Sequence, residues 1–91
     1  MTIKRKYDPA SELGKKIQEL RERLTDIKGG RQCFIDYASA NFFGNEDWIS
    51  VKTLTNYELG KNVPSLANAK KLSIALQIDF LDFILEIENY I

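Results

Sequence analysis

Between Ser50 and Leu66 the chain reads SVKTLTNYELGKNVPSL, and this run limits the fold more than any other. Ser50 is a good N-cap, Gly60 is the residue type that ends a helix in the left-handed conformation, and Pro64-Ser65 starts a second helix at once. The spacing predicts a short helix from about Ser50 to Leu59, anchored by only Leu54 and Tyr57, with Glu58 next to its end. Val51, Lys52, Thr55 and Asn56 are then left on its outer face. A helix so lightly anchored needs a body of other helices to hold it.

The rest of the chain supplies that body. Asp8-Pro9 is a helix start, with aspartate as cap and proline where its missing N–H costs nothing. Leu13, Ile17, Leu20 and Leu24 follow at helical steps and make one apolar stripe. Gly29-Gly30 leads into a second helix, about Gln32 to Ala40, with Phe34, Ile35, Tyr37 and Ala38 on its buried side. From Asn41 to Ile49 the period breaks at Gly44 and Asn45. This stretch reads as a loop or an extended helix end, with Phe42, Phe43 and Trp48 tucked against the core. The fourth helix carries Leu66, Ala69, Leu72, Ala75 and Leu76, and Asp79 caps a fifth from Phe80 to about Ile87. No run alternates apolar and polar residues as a strand does. The expectation is an all-α, five-helix domain over residues 9–91, preceded by a basic arm, residues 1–8, that holds Lys4, Arg5 and Lys6.

Composition narrows the function classes. There is no histidine, so the commonest general base and metal ligand is missing, and zinc sites built on Cys/His spacing are excluded. The single cysteine, Cys33, cannot form an internal disulfide and reads as a small apolar residue near a helix start, which fits a reducing cytoplasm. No apolar run approaches the ~20 residues that a membrane-spanning helix needs. The carboxylate pairs Glu46/Asp47 and Glu86/Glu88 have no nucleophile, base or glycine-rich loop beside them, so neither an enzyme nor a cofactor is expected. The 13 basic and 13 acidic side chains cancel, but not uniformly. Residues 1–31 hold nine bases against five acids, and residues 32–91 hold four lysines against eight acids. Such polarity lets one end face phosphates while the other points away.

The outer face of the third helix has base-reading chemistry. Lysine donates to guanine O6/N7, asparagine pairs with adenine N6/N7, and valine or the threonine methyl meets a thymine methyl. At the other end, FLDFILEIENYI carries apolar residues on more than one stripe. Phe80, Phe83, Ile84 and Ile87 are expected inside. Leu81, Leu85, Tyr90 and Ile91 are left for a partner, most simply a second copy, or else the tail closes on the aromatics of the 41–49 segment.

Three blocks of residues carry a family likeness: Leu13-Gly14-Lys15-Lys16-Ile17-Gln18-Glu19-Leu20-Arg21, then Leu54 through Leu66, then Leu72 through Phe80. In these the chain resembles the lambda-repressor-like, Cro/C1-type (XRE) helix-turn-helix proteins, and the middle block is the specific one. The resemblance implies a sequence-specific double-stranded-DNA-binding transcription regulator, a repressor in the first instance, that reads the major groove as a homodimer. Val51, Lys52, Thr55 and Asn56 take the base-reading positions. Gln32, Thr53, Lys61 and Asn62 take phosphate-contacting ones, and Arg21 and Glu58 form a partly buried ion pair. The chain departs from the family between its second and third helices, where about six extra residues separate Ala38 from Trp48-Ile49-Ser50. This departure, with the acidic C-terminal third, keeps a rival open: a protein-interaction module such as an antitoxin or phage adaptor, gripping a second protein through the C-terminal helix.

Overall fold

The structure, a computed structural model, describes residues 9–24, 27 and 29–90. The basic arm with Lys4, Arg5 and Lys6, the Asp8 cap, the side chain of Tyr90 and all of Ile91 lie outside the described residues. Five helices follow in chain order: α1 Pro9–Glu22, α2 Arg31–Phe42, α3 Val51–Glu58, α4 Leu66–Leu76 and α5 Phe80–Tyr90. Among the described residues there is no strand, and no helix is long and apolar enough to cross a membrane.

Local chemistry sets the helix ends. Ser50 Oγ accepts from the Thr53 N–H at 3.0 Å and Ser65 Oγ from the Asn68 N–H at 3.2 Å, each occupying a donor that a helix start leaves free. Asp79 does the same for α5, accepting from the N–H groups of Leu81 and Asp82 at 3.1 and 3.3 Å. Gly60, at φ +79°, turns the chain out of α3.

One apolar cluster holds the helices together. It takes Leu13 and Ile17 from α1, Phe34, Ile35 and Ala38 from α2, and Leu54 and Tyr57 from α3. Ala69, Leu72, Ala75 and Leu76 join from α4, and Phe83 and Ile87 from α5. α1 lies against both α3 and α5, α2 against α3 and α4, and α4 against α5.

Three expectations need correction. Phe42 is exposed rather than tucked in, because α2 runs on through it and carries its ring to the outer side, edge-on to Tyr37 at 6.3 Å. Tyr37 is itself only half-buried. Leu66 is 70% exposed, because as the first helical residue after the Ser65 cap it lies to the side of the stripe formed by Ala69, Leu72 and Leu76.

The connection between α2 and α3 covers residues 43–50 and is braced along its length. Gly44 and Asn45 both adopt positive φ, +64° and +65°, and turn the chain back on itself. Ser39 then holds the turn, its carbonyl accepting from the N–H groups of Phe43 and Asn45 and its hydroxyl donating to the Glu46 carbonyl at 2.8 Å. Trp48 is buried, donates Nε1–H to the Ile35 carbonyl at 3.0 Å, and packs on Phe34 and Phe43 with ring centroids at 6.0 and 5.0 Å. The longer turn is thus a packed bracket. Its buried indole sets where α3 begins.

Candidate nucleic-acid interface

α3 has eight residues, and its inward row is Leu54, Tyr57 and Glu58, all buried. Burying a carboxylate is costly unless it is paired and hydrogen-bonded, and Glu58 is both. Arg21 of α1 donates Nε–H to Oε2 at 2.7 Å and Nη2–H to Oε1 at 3.1 Å. Arg31, the first residue of α2, donates Nε–H to Oε1 at 2.9 Å. One carboxylate therefore joins α1, α2 and α3. The guanidinium of Arg21 is held above its ordinary pKa first by its hydrogen bond to Glu58, with burial acting in the opposite sense and the charges of Glu58 and Glu22 adding to the rise. Nothing in the spacing of the sequence indicated the second arm, Arg31, since the reach from the start of α2 to the end of α3 is set only in three dimensions.

Tyr57 fixes α3 from another side, its hydroxyl accepting from Asn68 Nδ2 of α4 at 2.7 Å. With Leu54, Tyr57 and Glu58 held, the opposite face is presented outward. Lys52 is exposed, Asn56 and Thr55 are half-buried, and Val51 is half-buried with its side chain packed against the edge of the core. The Thr55 hydroxyl donates back to the Val51 carbonyl at 2.7 Å, which leaves its methyl as the free end. Beyond Gly60, Lys61 and Asn62 are exposed, and their N–H groups close the helix end on the Asn56 carbonyl.

The four residues expected at phosphates have unequal freedom. Lys61 and Asn62 stand clear, whereas the Thr53 N–H is already taken by the Ser50 cap and Gln32 donates its amide to Asp36 at 2.8 Å. Between α2 and the start of α3 lies an open groove of about 470 Å³, lined by Gln32, Asp36, Ser39, Asp47, Trp48 and Val51 among others. Its two carboxylates disfavour a phosphate there, whereas the exposed Lys52 and Lys61 lie along α3 and past its end. Leu59 was not singled out by sequence, yet it is 53% exposed at the end of α3, on the same side as Lys52 and Asn56.

A helix-turn-helix family model matches residues 44–83. The matched stretch begins in the bracket at Gly44, takes in all of α3 and α4 and ends at Phe83 in α5. Comparison with curated proteins and comparison with solved structures each gave no match. Over residues 44–83 the chain is therefore similar to helix-turn-helix domains, the kind with which transcription regulators bind DNA.

Proposed function

We propose that the chain is a sequence-specific double-stranded-DNA-binding transcription regulator, a repressor that acts by occupying its site, with α3 in the major groove. The observation that carries this reading is the division of α3 into a row locked to three other helices and an opposite row that offers Lys52, Asn56 and the Thr55 methyl to solvent. Major-groove edges present the matching acceptors, donors and methyl groups. Lys61 and Asn62 then reach phosphates beside the helix, while Gln32 contributes only by releasing Asp36.

The test is selection of binding duplexes from a random pool, followed by Lys52→Ala and Asn56→Ala. Each substitution is expected to lower affinity for the selected duplex by roughly 5- to 150-fold, the equivalent of ~1–3 kcal/mol per base contact, with the unfolding midpoint unchanged. Undiminished affinity in both variants would remove the assignment.

The same reading includes a homodimer. Leu81 and Leu85 are exposed at 69% and 58% on α5, beside an apolar groove of about 280 Å³ lined by Pro64, Leu66, Ala69, Ile84, Ile87 and Glu88. A two-fold pair would match two half-sites on DNA. Leu81→Glu with Leu85→Glu is expected to halve the mass measured by light scattering while leaving helicity intact. A mass that already corresponds to one chain in the native protein would favour the second reading, in which this exposed apolar face takes a different protein.

A further inference from the structure

We infer that Trp48 is a positioning residue for base reading, one that sets where the N-terminal turn of α3 stands; this rests on the DNA-binding function proposed above. In helix-turn-helix docking the N-terminal residues of the second helix meet the base edges. Here those residues are Val51 and Lys52, with Thr55 and Asn56 one turn on. Phosphate contacts beside them carry no sequence information. Specificity therefore depends on how firmly that end of α3 is placed.

The two ends of α3 are held by different means. At the C-terminal end, Tyr57 and Glu58 are tied to α1, α2 and α4. The N-terminal end follows residues 43–50, roughly twice the 3–4 residues that usually join such a pair of helices. A longer connection costs more entropy to hold in one place, and two residues of α2 hold this one. Ser39 fixes the turn through Asn45 and Glu46, and Ile35, one helical turn earlier, accepts the Trp48 indole N–H at 3.0 Å. The indole is 7% exposed and packed between Phe34 and Phe43, which aims its N–H in a single direction. Only Ile49 and Ser50 then separate Trp48 from Val51. Ile35, Ser39, Trp48 and Val51 line one groove, so the clamp adjoins the first reading residue. A shift of Trp48 carries Val51 and Lys52 with it, while Lys61 and Asn62 follow the end that Glu58 holds.

The experiment compares the full native chain with Trp48→Phe, which keeps a ring against Phe34 and Phe43 and deletes the donor to Ile35. Affinity is measured for a duplex selected from a random pool and for a scrambled duplex of the same composition. The ratio of the two is expected to fall about fivefold or more, the low end of one base contact, with scrambled-duplex affinity unchanged. Ile87→Val, a core change in α5 that lowers the melting temperature, is expected to keep the native ratio. Ser39→Ala removes the hydroxyl that donates to the Glu46 carbonyl and is expected to lower the ratio in the same direction. A native ratio in folded Trp48→Phe, or in Ser39→Ala should Trp48→Phe not fold, overturns the positioning role and leaves the DNA-binding reading in place. So does a loss that is equal for both duplexes, the result that a residue needed only for stability would give. Failure of the native protein to enrich any duplex overturns both.

Discussion

Replacing Glu58 with alanine lowers the unfolding free energy by about 3 kcal/mol or more, the usual result of removing one partner from a buried ion pair. For a domain of this size each kcal/mol shifts the melting temperature by roughly 4–8 °C, so a drop of more than about 12 °C is expected. The size of the effect follows from what is left behind. The Glu58 side chain is wholly buried, and the Arg21 side chain is 10% exposed. Without the carboxylate, the guanidinium keeps its charge and loses two hydrogen bonds in a site that water barely reaches. Arg31, at 30% exposure, can turn to solvent and loses less. Arg21→Ala should therefore cost much less in the Glu58→Ala background than in the native chain, and a double-mutant cycle measures that coupling. Change of pH offers no rescue on the arginine side. A group whose folded pKa is raised contributes its stability in full below its unfolded value and loses it only as pH climbs through the folded one, and for Arg21 that window lies in strong alkali. A loss under about 1 kcal/mol by urea denaturation would mean that the carboxylate does not tie the three helices together.

Much of this architecture is legible before any coordinates. Leu13 and Ile17 on one side of α1, and Phe83 and Ile87 on α5, are buried where helical spacing puts them. The Ser50 and Ser65 caps and the Gly60 stop mark boundaries because each residue type answers a specific backbone need. Legibility ends where a side chain's surroundings come from another part of the chain. Hydrophobicity cannot say which of Phe42, Phe43 and Trp48 turns inward; that depends on how far α2 continues and on the Ile35 carbonyl that receives the indole N–H. The interface is half legible in the same sense. The outer face of α3 follows from its period, but the freedom of each donor does not, since Asp36 takes up Gln32 and Ser50 takes up the Thr53 N–H. Arg31 and Leu59 were missed for opposite reasons. One acquires a partner that lies far along the chain, and the other stays exposed.

Gly14 shows the same limit most sharply, and its substitution reverses an ordinary rule. Alanine within a helix is normally worth about 0.8–1 kcal/mol over glycine, so Gly14→Ala in α1 should stabilise the protein on propensity alone. The structure gives the opposite expectation. A Cβ at Gly14 would fall against the backbone carbonyl oxygens of Glu58 and Tyr57, only 2.6 Å from the latter. Neither is a flexible chain end that can swing away, so α1 would have to lift from α3. That displacement would strain the Arg21–Glu58 bonds and open the packing around Leu13 and Leu54, both buried. Overpacking of this kind costs about 1–3 kcal/mol, which outweighs the gain in propensity. The expected net loss is up to about 2 kcal/mol, read as a lower midpoint in thermal unfolding followed by circular dichroism. Gly60 lies across the same contact, where a Cβ would meet Ser11 Cα at 2.7 Å, so α1 crosses the end of α3 at two residues that have no side chain. A melting temperature that stays level or rises in Gly14→Ala would show that α1 and α3 stand further apart, and with them the frame that holds the Lys52–Asn56 face outward would have to be redrawn.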